Sequence, residues 1–128
     1  MSQQSVHALI IDDSRAVRTI LKRMLTGVGF RTSEAVNGLE GLELLKQHDD
    51  ITIALVDWNM PLMNGYDFVK AVRADPAYRD LWLMMVTTET EMSRVVKAMA
   101  AGANEYVMKP FTEDVIVDKL KLLGLVAA

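Results

Sequence analysis

The stretch that decides the fold is ITIALVDWNMPLMNG at residues 51–65. Its apolar run at 53–56 stops at Asp57, and turn-forming residues follow. A short run of β-branched and large apolar residues between turn signals is typical of a strand that is buried on both faces. The same pattern occurs at 8–11, which also stops at an aspartate, and at 81–86. We therefore predict three buried strands, two of which lead directly into carboxylates.

Helical patterns separate these runs. Ser14 is positioned to cap the first helix, and Gly27 and Gly29 to end it. Weaker strand patterns at 31–35 and 105–108 complete a strict alternation of strands and helices, five of each. This alternation predicts one α/β domain over residues 1–128, with a parallel sheet covered by helices on both faces. The predicted apolar helix stripes are Val17, Ile20, Leu21, Met24 and Leu25; Leu39, Leu42 and Leu45; Phe68, Val69 and Val72; Met92, Val95, Val96 and Met99; and Ile116, Leu120 and Leu123.

The composition excludes several classes of protein. The 128 residues are 51% hydrophobic and 24% charged, as in an ordinary globular domain, and we expect Met24, Met84, Met85 and Met99 to fill gaps in its core. A net charge of -3 gives no general attraction to nucleic acid or anionic lipid. Cysteine is absent, and the two histidines, His7 and His48, are too few for a histidine-built metal site. No leader pattern and no apolar run near ~20 residues occurs, so a cytoplasmic protein is expected.

Polar side chains follow the predicted strand ends, which share one edge of a parallel sheet. Three converging carboxylates repel one another unless one is protonated or a divalent cation lies among them, and oxygen ligands alone suit Mg2+. A lysine and a threonine hydroxyl both bind phosphate oxygens. The set predicts phosphoryl transfer with Asp57, at the end of the most central strand, as the nucleophile. The residues are Asp12 and Asp13 after the first strand, Asp57 after the third, Thr87 and Thr88 at the fourth, and Lys109 after the fifth.

Four segments carry a family resemblance: IIDDSRAVR, ALVDWNMPLMNG, MVTTE and YVMKPF, in this order and spacing. They resemble the receiver domain of bacterial two-component response regulators, and most closely the CheY-like single-domain chemotaxis regulators. The resemblance covers nearly the whole chain. It implies a flavodoxin-like three-layer sandwich with strand order 2-1-3-4-5.

The resemblance also implies a role for each matching residue. Asp57 matches the phospho-acceptor. The implied Mg2+ ligands are Asp12, Asp13, Asp57 and the backbone carbonyl of Asn59.

A second group of matches concerns the phosphate and the switch. Thr87 and Lys109 match the groups that bind the phosphate, and Tyr106 matches the aromatic ring that moves inward when the Thr87 hydroxyl is recruited. The bond between Lys109 and Pro110 is cis in the family, which is uncommon for X-Pro bonds. The two variable positions that tune dephosphorylation are Asn59 and Glu89.

Two residues depart from the pattern. Asn64 stands where an aspartate more often precedes Gly65, and either residue caps the following helix. Thr88 replaces a small residue, often alanine, and its bulk could slow access to the phosphate.

The resemblance implies a switch and not an enzyme. A histidine kinase would phosphorylate Asp57, and the altered surface around the fourth helix, fifth strand and fifth helix would pass the message to another protein. The flagellar motor switch is the first candidate target, and a phosphorelay or phosphate-sink role is the alternative. We expect a monomer that binds neither nucleic acid nor membrane.

Two other functions fit the fold class less well. Phosphatases of the haloacid-dehalogenase type use an aspartyl nucleophile, usually in a D-x-D pair on the first strand, and add a cap that encloses the substrate. Here the residue two positions after Asp57 is Asn59, so Asp57 does not begin such a pair. A flavin or nucleotide binder would need a glycine-rich or hydroxyl-rich phosphate loop where this chain has Asp12 and Asp13.

Overall fold

The structure is a computed structural model that describes residues 5–127. Its strands are β1 (His7–Ile11), β2 (Arg31–Ala35), β3 (Ile51–Val56), β4 (Trp82–Thr87) and β5 (Glu105–Met108). Its helices are α1 (Arg15–Gly27), α2 (Gly38–Gln47), α3 (Gly65–Ala74), α4 (Met92–Ala101) and α5 (Glu113–Leu122), with a single 3-10 turn at Pro76–Tyr78. Residues 1–4 and 128, which the predicted domain includes, lie outside the described residues.

The strands form one parallel sheet in the order β2-β1-β3-β4-β5. Both the flavodoxin-like architecture and the strand order are therefore confirmed. Reversal of strand order beside β1 opens a crevice at the carboxyl edge of β1 and β3, where α/β sheets bind ligands. None of the helices within residues 5–127 combines the length and apolar character that crossing a bilayer requires.

The core consists of two apolar layers, one on each side of the sheet. On β1, Leu9 and Ile11 pack toward α2, α3 and α4, whereas Ala8 and Ile10 pack toward α1 and α5. All four side chains are fully buried. Alternating side chains on a doubly covered strand explain why β1 and β3 appear in the sequence as continuous apolar runs.

The strand bounds differ from the predicted ones by one or two residues. β1 and β3 begin earlier, at His7 and Ile51, because these two residues pair across the sheet. β4 begins and ends one residue later, because the Leu81 N–H donates to the Tyr78 carbonyl in the turn before the strand. His7 is polar, and the polar Thr52 separates Ile51 from the apolar run at 53–56, so the sequence pattern did not mark either start.

The predicted core face of α4 was wrong. Met92, Val96 and Met99 are 72%, 57% and 41% exposed, and only Ala98 of this helix is buried. The small Ala98 side chain faces the core, so the stripe of larger side chains lies to one side of the contact. Met99 therefore does not fill a core gap, whereas Met84 and Met85 are fully buried.

The margins of two other stripes are also open to solvent. Ile20 on α1 and Leu39 on α2 are 44% and 47% exposed. The predicted ends of α1 are confirmed: the Ser14 hydroxyl accepts from the Val17 N–H, and the helix ends at Gly27.

Arg73 on α3 fixes the edge of the sheet where β4 and β5 begin. Its Nε donates to the Gly102 carbonyl at 2.9 Å, Nη1 to the Tyr78 carbonyl at 3.0 Å and Nη2 to the Leu81 carbonyl at 2.7 Å. Nη2 also donates to Asn104 Oδ1 at 2.9 Å. One guanidinium therefore joins α3 to the segments that enter both strands.

Candidate functional site

Three carboxylates meet at the carboxyl edge of β1 and β3. Asp12 directly follows β1 and Asp57 directly follows β3, and the Asp57 N–H donates to the Ile11 carbonyl at 2.9 Å. Asp12, Asp13 and Asp57 each offer a carboxylate oxygen, and these atoms lie within 4.8 Å of one another. Asp12 and Asp57 are buried and Asp13 is exposed, so the cluster opens to solvent on one side.

Lys109 brings a positive charge to this cluster. Its Nζ lies 2.7 Å from Asp12 Oδ2 and 3.5 Å from Asp57 Oδ2. The Lys109 N–H donates to the Thr87 carbonyl at 2.9 Å, which continues the sheet beyond β4 and β5, and the bond to Pro110 is cis. The ammonium group thus lies close to the carboxylates of both Asp12 and Asp57.

Asp57 is an unfavourable place for a negative charge in the protein alone. Burial raises the pKa of its carboxyl, and the charge of Asp12 raises it further. Hydrogen bonding from Thr87, the charge of Lys109 and the Trp58 N–H, which lies 2.8 Å from Asp57 Oδ1, lower this pKa but do not cancel the increase. A cation among the three carboxylates would therefore stabilise the ionised form of Asp57.

Thr87 and Tyr106 are connected through a single residue, Glu89. Thr87 is fully buried at the end of β4, and its hydroxyl oxygen accepts from the N–H of Glu89 at 3.3 Å. The Tyr106 hydroxyl donates to the carbonyl of the same Glu89 at 2.6 Å. Burial raises the pKa of the Tyr106 phenol, as does the neighbouring Glu89 charge. The hydroxyl next to Asp57 and the aromatic ring on β5 therefore share one backbone partner.

Asn59 and Glu89 bridge the loops that follow β3 and β4. Asn59 Nδ2 donates to Glu89 Oε1 at 2.7 Å, and Glu89 Oε2 lies 3.5 Å from Arg94 Nε on α4. The two predicted tuning positions are thus in direct contact. Sequence reasoning missed Arg94, because no local pattern connects it to Glu89.

Gly65 lets the loop after β3 return close to Asp57. A Cβ atom at Gly65 would lie 2.0 Å from the Asp57 carbonyl oxygen, and the Gly65 N–H donates to the Trp58 carbonyl at 2.8 Å. Asn64 Oδ1 accepts from the Asp67 N–H at 2.8 Å, so the predicted cap of α3 is confirmed. The sequence signal for this contact is the Asn-Gly pair after a strand, which indicates a turn but not the close approach.

Comparison with known proteins settles the family. The model of the response regulator receiver domain matches residues 8–121. The chain belongs to the response regulator receiver domains. This receiver domain is 44% identical over 114 residues to a chemotaxis protein CheY homolog of Campylobacter jejuni, with 88% of each chain covered.

Two solved structures resemble the receiver domain along most of its length. CheY4 of Vibrio cholerae, a chemotaxis response regulator, matches with a TM-score of 0.87 at 30% identity, over 94% of this chain and 99% of that chain. The receiver domain of the sensor histidine kinase PA1611 from Pseudomonas aeruginosa matches with a TM-score of 0.83 at 21% identity, over 93% and 97% of the chains. That structure has a magnesium ion coordinated in its active site cleft. The resemblance drawn from the four sequence segments is therefore confirmed.

Aromatic and cationic groups support the receiver domain's loop after β3. The Trp58 ring is buried and stacks on Tyr66, with centroids 5.3 Å apart and planes 4° from parallel. The Arg94 guanidinium lies 5.3 Å from the Trp58 ring centre, and Lys97 Nζ lies 5.3 Å from that of Tyr66. Such contacts stabilise a partly desolvated stack. They attach α4 to the residue that follows Asp57.

Two further positions complete the comparison with the sequence. Thr88 is exposed and lines a groove of about 310 Å3 together with Lys109 and Pro110.

At the opposite edge of the sheet, His7 and His48 lie together with Asp50. Counting histidines in the sequence gave no sign that the fold brings these two together beside a carboxylate.

Proposed function

We propose that this receiver domain accepts a phosphoryl group on Asp57 from the phosphohistidine of a kinase, and so switches a protein-binding surface. The observation that carries the proposal is the placement of Asp57 between two other carboxylates and the Lys109 ammonium, which lies 3.5 Å away. A carboxylate nucleophile needs nearby positive charge, such as the Lys109 ammonium, to approach a negatively charged phosphoryl group.

The acidic cluster fits Mg2+. Its donors are all oxygen atoms, they lie within 4.8 Å of one another, and one of them is open to solvent. In the proposal Asp12, Asp13, Asp57 and the carbonyl of Asn59 hold the ion, the Asn59 carbonyl being an expectation from the family. When bound, Mg2+ neutralises charge on the phosphoryl oxygens.

The transfer step requires few parts from the protein. An Asp57 carboxylate oxygen forms the new bond to phosphorus while the phosphorus–nitrogen bond of phosphohistidine breaks. The imidazole leaves with the electron pair and takes a proton from water. Lys109 and the Thr87 hydroxyl bind the phosphoryl oxygens.

The reset step is hydrolysis of the acyl phosphate. A water oxygen attacks phosphorus, the bond to Asp57 breaks, and inorganic phosphate leaves. We propose that Asn59 and Glu89 tune this step, because their 2.7 Å hydrogen bond joins the two loops that flank Asp57.

The switch follows from the shared partner of Thr87 and Tyr106. Phosphorylation adds about 1.5 to 2 negative charges at Asp57. When the Thr87 hydroxyl turns to the phosphate, the Glu89 N–H, now 3.3 Å from it, loses its acceptor. The Glu89 carbonyl holds the Tyr106 hydroxyl at 2.6 Å, so any shift of Glu89 changes the position of Tyr106.

The surface formed by α4, β5 and α5 is the proposed docking site for the target. It carries six of the ten large apolar side chains that are exposed among the described residues, and such side chains mark protein contacts when they are contiguous. A chemotaxis target at the flagellar motor switch is the first candidate, because curated relatives are chemotaxis proteins; a phosphorelay is the second. In this proposal the protein acts in the cytoplasm as a monomer. The exposed apolar residues are Met92, Val96 and Met99 on α4, Met108 on β5, and Val115 and Leu122 on α5.

Phosphate incorporation tests the proposal. The purified protein is treated with phosphoramidate with and without Mg2+, and the intact mass is measured beside an Asp57→Asn control. We expect one Mg2+-dependent phosphoryl group on the wild type and none on the control. Absence of incorporation would refute the phospho-acceptor role, and steady turnover of many phosphate esters per chain would indicate a phosphatase.

A further inference from the structure

A second cluster of metal-ligating side chains lies at the end of the sheet opposite Asp57. His7 begins β1, and His48 and Asp50 come from the connection between α2 and β3. One possible ligand atom from each of the three lies within 4.8 Å of the others. The two imidazole rings meet edge to face, with centroids 5.2 Å apart and planes at 79°. Residues 43 positions apart are thus brought together by the pairing of β1 with β3.

His7 is held in one orientation by contacts at both ring nitrogens. Its Nε2 lies 2.8 Å from Ser33 Oγ on β2, and its Nδ1 lies 2.8 Å from Asp50 Oδ1. The Ser33 hydroxyl can donate or accept, so it serves either tautomer of the ring. Without a metal, Nδ1–H donates to Asp50 Oδ1 and Nε2 accepts from the Ser33 hydroxyl; with a metal on Nδ1, the ring proton lies on Nε2 and donates to Ser33. A hydrogen-bonded second nitrogen is the usual outer contact of a histidine that ligates a metal.

Asp50 supplies an ionised carboxylate with one oxygen beside His7. Arg31 Nη2 lies 2.6 Å from Asp50 Oδ2, on the other oxygen. The Arg31 contact and the His7 contact hold the pKa of Asp50 far below its usual range. The positive charge of Arg31 disfavours binding of a cation nearby. Solvent weakens this repulsion because the Arg31 side chain is 54% exposed, and Arg31 contacts Asp50 Oδ2, which leaves Oδ1 as the ligand atom.

The cluster is accessible from solvent. A cavity of about 600 Å3 beside it is lined by His48, Asp49, Asp50 and Tyr78. His7 itself is 4% exposed, so it forms the buried wall of the cluster while the other two groups face the opening.

We propose that His7, His48 and Asp50 form a binding site for a divalent transition-metal ion such as Zn2+. Two imidazoles and one carboxylate, with a position left for water, are a ligand set that Zn2+ takes in proteins. Mg2+ prefers oxygen ligands in octahedral geometry, so the two edges of the sheet select different ions. The bound ion replaces the proton between His7 and Asp50 and ties the start of β1 to the connection before β3. This inference is independent of phosphorylation at Asp57.

Calorimetric titration with Zn2+ tests the site. The protein is the full-length, tag-free Asp57→Asn variant, treated with a chelator beforehand and titrated in excess Mg2+. The substitution and the Mg2+ suppress binding at the acidic cluster. We expect one Zn2+ per chain, unchanged by the control Asp49→Asn, whose carboxylate lies outside the ligand set. His48→Gln and Ser33→Ala should each weaken binding by about tenfold or more, as loss of a ligand or of its outer partner does.

Nitrogen-15 NMR of the histidine rings supplies the second readout. On Zn2+ addition the His7 Nδ1 resonance should move to a metal-bound position, and the ring proton should be found on Nε2, next to Ser33 Oγ. No stoichiometric Zn2+ binding, equal affinity in His48→Gln and Asp49→Asn, or no change at His7 would each overturn the proposal.

Discussion

A single methyl group at Gly65 tests whether the position of Asp57 governs phosphorylation. In Gly65→Ala the new Cβ would lie 2.0 Å from the Asp57 carbonyl oxygen, and real Cβ contacts essentially never fall under 3.0 Å. The loop or the end of β3 must therefore move by at least about 1 Å, and a misplacement of about 1 Å costs on the order of 100-fold in rate. Overpacking of this kind also lowers the free energy of unfolding by about 1–3 kcal/mol.

The assay is the rate of Mg2+-dependent phosphorylation by phosphoramidate, followed by intact mass, with urea unfolding measured on the same samples. Gly27→Ala is the matched control, because nothing lies within 4 Å of its added Cβ and its backbone is not left-handed. We expect the control to phosphorylate like the wild type. A folded Gly65→Ala protein whose rate stays within about twofold of the wild type would refute the argument that a displacement of this size costs rate.

Three other substitutions probe charge and hydrogen bonding. Without Mg2+, Asp57→Asn should stabilise the protein more near pH 7 than near pH 4. The raised pKa of Asp57 makes the unfolded chain release this proton first, so the contribution of Asp57 to wild-type stability falls as pH rises above 3.8. Equal gains in urea unfolding at both pH values would contradict this. Lys109→Met removes the ammonium that lies 2.7 Å from Asp12, so it should tighten Mg2+ binding in calorimetry. It should also slow phosphorylation by roughly 100-fold, because the phosphoryl oxygens lose a cation. An unchanged Mg2+ affinity would count against this argument. Arg73→Met should lower the free energy of unfolding by about 3 kcal/mol, since four backbone carbonyls lose a donor. The exposed Arg23→Met should stay within about 0.5 kcal/mol, and similar losses for both variants in urea unfolding would contradict a stabilising role for the Arg73 hydrogen bonds.

The sequence predicted the sheet and the edge that carries the site because both depend on local patterns. A strand buried on both faces is visible as an apolar run, and the residue after it, such as Asp12 or Asp57, is placed by the strand itself. The parallel arrangement then brings the ends together without further information.

What the sequence missed depends on contacts between distant residues. Periodicity showed that α4 is amphipathic but not which neighbour covers each side, so Met99 was assigned to the core. The bond from Arg94 to Glu89 and the meeting of His7 with His48 likewise have no local signal. They follow from how elements pair, which only the three-dimensional arrangement specifies.

The Arg73 contacts hold the ends at which β4 and β5 begin. One guanidinium binds the carbonyls of Leu81, directly before β4, and Gly102, in the segment that leads into β5, and so ties the starts of the two strands together. Thr87 and Tyr106 lie farther along the same strands. If Asp57 accepts a phosphoryl group, as proposed, we expect the resulting displacement to be larger at Thr87 and Tyr106, beside the proposed docking surface, than at the strand starts that Arg73 holds.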